Sequence, residues 1–162
     1  MLISRKFPLF SIILFFCVIL SSCSQILSPP TVQEVEAKFN QNRMNIMTVT
    51  NYLAESKYGS IYINDTSGNM SVGTSRIPIS DQTVIKAIRK LSAQGYTIII
   101  KDGNTIHFQQ WTRFTDAGCG IAYSINKTSI PRIDYLTQLE PLSENGWYYY
   151  VDDYTQWRNQ QN

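Results

Sequence analysis

The chain predicts an α+β fold: an antiparallel sheet of about five to six strands with two main helices, about 31–57 and 80–94, packed on one face. Three observations predict it. Apolar residues recur at helical spacing in two capped stretches. The remainder breaks into short β-rich runs divided by Gly, Asn, Asp and Ser. The order of helix, hairpin, helix, meander and late strand lacks the strict alternation that builds a parallel sheet.

The first helix starts at Thr31-Val32-Gln33-Glu34, where the hydroxyl and the glutamate are spaced to satisfy each other's free backbone donors. Val35, Phe39, Ile46, Val49 and Leu53 follow as a stripe interrupted by Asn42, and Tyr58-Gly59 closes it. Such a stripe is more often core than a partner-binding seam. Residues 60–64 alternate around Ile61 and Ile63, Asp65-Thr66-Ser67-Gly68 supplies a turn, and 69–73 complete a hairpin. Ser80 is the expected cap of the second helix, with Asp81 in its first turn, Val84, Ala87, Ile88 and Leu91 on its apolar face, and Gly95 as its stop. Strands are then expected over 96–101 and 105–114, joined by Asp102-Gly103, and over 119–125 after a turn at 115–118. Residues 129–139 are expected to form a helical turn or two from Pro131, and 147–152 the last strand. The helix-then-strands pattern occurs twice, but no residue-level similarity supports a repeat.

A different kind of segment precedes this domain. Arg5 and Lys6 introduce an apolar run over 7–20 that leads into Leu20-Ser21-Ser22-Cys23. The run has 14 residues and contains Pro8, whereas a membrane-spanning helix needs about 20. An ordinary secretory signal offers an A-x-A-like cleavage site, but here the small pair runs straight into a cysteine. Leu20 to Cys23 resembles the lipobox of bacterial lipoprotein precursors, a resemblance confined to residues 1–25. It implies cleavage before Cys23, a diacylglycerol thioether on the Cys23 sulfur and usually an acyl chain on the new amino terminus. The chain then divides into a signal peptide, 1–22, a lipidated tether, 23–30, ending in Pro29-Pro30, and one domain, 31–162. Ser24 resembles the residues that permit sorting to an outer membrane where the cell has one. In a cell with a single membrane the protein would face outward from it.

The formal charge of +2 comes from Arg5 and Lys6, and without them 12 basic residues balance 12 acidic ones. A neutral domain gives no electrostatic case for nucleic acid or anionic lipid. Lys86, Arg89 and Lys90 read as the solvated face of a helix. Of three cysteines, Cys17 leaves with the signal and Cys23 is committed to lipid, so Cys119 has no partner within the chain and no disulfide framework is expected.

H-E-x-x-H, C-x-x-C, G-x-G-x-x-G and Walker-type motifs are absent. Residues 68–73 carry one residue too many before Ser71 for a nucleophile elbow. Cys119 and His107 are the sharpest catalytic pair on offer, yet with Cys119 opposite Phe114 they would sit seven residues apart, roughly 23 Å. Cys119 is expected to be a small buried hydrophobe, and His107 an exposed or half-exposed sheet residue. Asp152 and Asp153 point to opposite faces of a strand and cannot act as a pair. No metal-ligand cluster or cofactor motif is visible. Trp147 and Tyr149, facing one way from the aromatic stretch 147–150, and Trp111 are candidate stacking platforms for a ligand, against the alternative that they fill the core.

The expected function is a membrane-anchored envelope lipoprotein with a small non-enzymatic protein-interaction or assembly domain. The alternatives are a cell-wall glycan or carbohydrate binding module using Trp147, Tyr149 and Trp111, and a hydrolase with a dispersed site. The expected partners are the membrane, through the lipid, and an envelope protein, with a glycan as the alternative and no nucleic acid.

Overall fold

Helix α1 (Val32–Glu55) opens the ordered architecture of the computed structural model, which describes residues 28–113 and 116–161. The lipobox-like segment with Cys23, Phe114 at the end of the expected 105–114 strand, and Thr115 in the expected 115–118 turn lie outside the described residues. The capping box is formed: Thr31 N donates to Glu34 Oε2 at 2.8 Å, and Glu34 N to Thr31 Oγ1 at 3.4 Å. Asn42 stays in the buried stripe because its Nδ2 donates to the Lys38 carbonyl at 3.0 Å, one turn back.

The next elements are β1 (Ser60–Ile63), β2 (Asn69–Val72), β3 (Ser75–Pro78) and α2 (Gln82–Ala93). Asp81, not Ser80, caps α2: its carboxylate accepts from the amides of Thr83 and Val84. A charged acceptor suits the positive end of the helix better than a hydroxyl. Gly95, at φ 85°, ends the helix as expected. The chain continues through β4 (Ile98–Asp102), β5 (Thr105–Arg113), β6 (Ala117–Ser124), β7 (Leu136–Pro141), β8 (Trp147–Asp153) and α3 (Thr155–Gln161). The β4–β5 loop is Gly103-Asn104, one residue later than expected, since Asp102 pairs with Thr105 and Gly103 takes the positive φ of 54°.

The fold is α+β with a single sheet of order β3-β2-β1-β4-β5-β6-β8-β7 whose neighbours are all antiparallel. It has eight strands, not five or six, and the two unexpected ones are its edges. β3 is short, mostly exposed and ends in Pro78, a residue edges tolerate. β7 replaces the expected helical turns: Leu136–Pro141 is largely exposed and pairs with β8.

The two faces of the sheet are covered differently. Helices α1 and α2 cover one, where Ile61, Ile99, Phe108, Ile121 and Trp147 meet Phe39, Ile46 and Leu91 in a continuous core. At its margin the buried Lys101 sends Nζ to the Ser56 carbonyl at 2.7 Å, just past the end of α1. That helix has no basic residue in its last turn, so β4 supplies the cation its negative end favours.

The opposite face is crossed by a strap. β6 and β7 are each antiparallel to β8 and therefore run parallel, so residues 125–135 must return across the sheet between them. Ser129 Oγ lies 3.0 Å from Ser124 Oγ, Arg132 N donates to Thr105 Oγ1 at 2.9 Å, and Asp153 N donates to the Tyr135 carbonyl at 2.9 Å. Lys127 and Tyr135, near the two ends of the strap, hold positive φ of 52° and 56°, a conformation that costs about 1–2 kcal/mol outside glycine. The strap explains why both faces of β6 are buried although helices cover only one.

Candidate functional site: a cleft on the strap face

On the strap face β6 presents Gly118, Gly120 and Ala122, with Ser124 held to the strap at its end, because the side chains of Cys119 and Ile121 enter the helix-side core. The register places Gln109 and Tyr150 beside Gly120, His107 beside Ala122, and Asp152 beside Gly118. Large side chains on β5 and β8 thus flank a trough floored by small ones. The cleft encloses about 200 Å³ and is lined by Ile98, Ile100, His107, Gln109, Tyr150, Asp152 and Tyr154.

Both glycines are required by close approach. A Cβ on Gly118 would collide with Gln109 Nε2 and lie 2.6 Å from Asp152 Oδ1, so both side chains lean over it. At Gly120 the obstacle is backbone: a bulge between Gln109 and Trp111 brings the Phe108 carbonyl onto the space a Cβ would fill.

The electrostatics of the cleft are one-sided. Asp152 is 3% exposed and its Oδ1 has no hydrogen-bond partner. Burial raises its pKa, the charge of Asp153 acts the same way, and the amides of Gly118 and of Asp152 itself oppose. His107 is pushed down to about 4 by burial, against the pull of Asp102 and Asp134, and is neutral at pH 7. Its Nδ1 is buried without a partner, and its ring centroid lies 5.6 Å from that of Tyr150. Tyr150 is held well above the usual phenol range by burial and then by Asp152, while Tyr154 is raised to about 12 by burial, then by Asp152 and Asp134. The nearby guanidinium groups are engaged elsewhere: Arg113 lies 3.5 Å from Asp153, and Arg158 pairs with Asp116.

The residues singled out from the sequence do not assemble. Trp147 and Tyr149, 1% and 2% exposed, are core and not platforms. Trp147 meets Phe39 and Tyr123 at ring distances of 4.8 and 4.9 Å, because β8 lies under α1 with this face inward. Tyr149 OH donates to the Pro30 carbonyl at 3.0 Å. Trp111 is half-buried beside Ser28, Pro29, Pro30, Thr31 and Glu34. Cys119 is fully buried and burial pushes its thiol up to about 12, so it is held protonated. It pairs with Trp111, not Phe114, which brings it nearer to His107 along the sheet than expected, but the two project from opposite faces. His107 is half-buried, within what its place on the sheet leads one to expect, and Tyr150 lies against it. Asp152, weighed from the sequence only as a partner for Asp153, is the residue the cleft brings forward. Its signal was Gly118-Cys119-Gly120, two glycines on one face of a strand.

Among the described residues no cluster of three His, Cys, Asp or Glu could hold a metal ion, and no helix is long and apolar enough to cross a membrane. No family model matches the chain, no curated protein matches it, and no solved structure matches it.

Proposed function

We propose that the chain is a lipid-anchored bacterial envelope lipoprotein, acylated at Cys23, whose domain is a non-enzymatic module for protein interaction or assembly close to the membrane. The observation that carries the reading is the Leu20-Ser21-Ser22-Cys23 motif leading into a tether whose far end is fastened. Tyr149 holds Pro30 and Trp111 lies beside it, so only seven residue steps lead from Cys23 to the docked point. Fully extended, they reach about 25 Å. Such a leash keeps the domain within one domain diameter of the acyl chains, each buried methylene of which contributes about 0.8 kcal/mol to anchoring. Where the cell has an outer membrane, Ser24 favours that destination.

The protonated Cys119 thiol and the separation of Asp152 from Asp153 support binding over hydrolysis. The burial of Trp147 and Tyr149 favours a protein partner over a glycan. Labelling cells with an alkyne palmitate analogue tests the anchor: the parent chain should be labelled and fractionate with membranes, and Cys23→Ala should remain an unlabelled, full-length precursor. Equal maturation and membrane association of Cys23→Ala would sink the reading. Retention by purified peptidoglycan would replace the protein partner with a glycan.

A further inference from the structure

The strap-face cleft has a function of its own, independent of the anchor. We propose that it binds a small organic cation, an ammonium group on a short apolar body, with Asp152 as the counter-ion. Asp152 carries the argument. It is buried on the cleft wall with Oδ1 unpartnered, and a buried carboxylate oxygen left without a partner is costly enough that it calls for an explanation.

The surroundings select the sign of the ligand. Asp152 is the charged residue on the cleft wall, and the carboxylates of Asp102 and Asp134 act on its His107 in the same sense. The two arginines nearest the Asp152 end, Arg113 and Arg158, are bound to Asp153 and Asp116. An anion would be repelled by the Asp152 carboxylate. A cation held at the Asp152 carboxylate gains a charge-assisted hydrogen bond and lies among the rings of Tyr150, Tyr154 and His107, whose faces attract positive charge.

Shape selects the size. The cleft, at about 200 Å³, is somewhat larger than the roughly 150 Å³ cavity that takes a benzene ring, so it suits about nine non-hydrogen atoms. Ile98 and Ile100, on β4, offer the apolar end of the wall, across the cleft from Asp152. A hard metal ion is a poorer occupant. Ca²⁺ takes six to eight oxygens, and this site offers one carboxylate and a neutral imidazole.

Phenethylammonium, with about nine non-hydrogen atoms, is the probe of matching size. Amide correlation spectra of the full chain in a non-ionic detergent are followed as it is added, with 2-phenylethanol as the neutral counterpart and CaCl₂ as the metal control. The expected result is saturable shifts at Gly118, Gly120 and Asp152, at least tenfold weaker affinity for the alcohol, and at least tenfold loss in Asp152→Asn. Equal affinity for cation and alcohol, unchanged binding by Asp152→Asn, response to Ca²⁺ alone, or no response at millimolar probe would each overturn the proposal. If Asp152→Asn disturbs the fold, Ile100→Trp, at a half-buried position on the opposite wall, takes its place. It should abolish the shifts by filling the cleft, and binding that persists there counts against the site.

Discussion

Replacing Trp147 by alanine should be among the most damaging single changes in the domain. The indole is 1% exposed and lies between Phe39 from α1 at 4.8 Å, Tyr123 from β6 at 4.9 Å and Phe108 from β5 at 6.1 Å. Truncation removes the apolar surface of the largest buried side chain and leaves three rings facing a void that the surrounding strands and helix cannot close. Phe or Trp to Ala changes at such sites cost about 3–5 kcal/mol, and the three ring contacts place this one at the upper end, about 4–5 kcal/mol. Against a total stability of roughly 5–15 kcal/mol, that is about a quarter or more of the whole. With a denaturant slope of about 2 kcal/mol per molar urea, the midpoint should fall by about 2 M. Far-UV circular dichroism reads the transition without depending on the deleted fluorophore. Trp111→Ala, at a half-buried position, is the internal control and should cost less than half as much. A loss below about 1 kcal/mol for Trp147→Ala would refute the core assignment and restore the indole as a surface group.

Four further outcomes follow from the same geometry. Gly120→Ala should destabilise by about 3 kcal/mol or more in a urea titration, since its methyl meets the Phe108 carbonyl and the strand must move to admit it. Thr31→Ala should cost about 1 kcal/mol by removing the cap of α1, and should speed protease cleavage near Pro30. Stability should fall on acidification: the folded His107 has a pKa of about 4 against an ordinary 6.5, so the unfolded chain binds its proton first. The contribution is complete above pH 6.5 and is lost as pH drops through about 4, at most on the order of 3 kcal/mol. Asp152 works in the opposite sense, because its raised pKa lets the folded state keep a proton the unfolded chain has released. Asp152→Asn should therefore melt higher than the parent at pH 7, with the gap closing as pH falls to the usual carboxylate range.

What could be read from sequence was what local patterning dictates. The Thr31-Glu34 pair, the apolar stripe of α1 and the Gly95 stop are events within one or two turns of chain, and each is formed. The two missed strands carry no alternation to read. β7 is exposed along most of its length, and its pairing with β8 is fixed by the strap rather than by any apolar face. The aromatic stretch 147–150 failed as a guide for a related reason. Alternation says that Trp147 and Tyr149 share a face, but which face lies under α1 depends on a pairing with β6 decided elsewhere in the chain. The cleft is harder still, because His107, Asp152 and Tyr154 meet only through the register of β5, β6 and β8.

The two faces also separate the two proposed roles in space. Tyr149 and Val151 turn inward under the helices, while Tyr150 and Asp152, their immediate neighbours, turn toward the strap. The tether is fastened to the inward set through Tyr149, so it joins the domain on the helix side. The cleft opens on the other side of the same strand. A change at Tyr149 should therefore loosen the leash without altering the chemistry of the cleft, and a change at Asp152 should do the reverse. Tyr149→Phe removes only the hydroxyl that holds Pro30, a loss of about 1 kcal/mol. It should raise the protease sensitivity of residues 28–31 while leaving the affinity for phenethylammonium unchanged. If that variant weakens the ammonium as much as Asp152→Asn does, the faces are coupled through β8, and the separation of anchor from binding site fails.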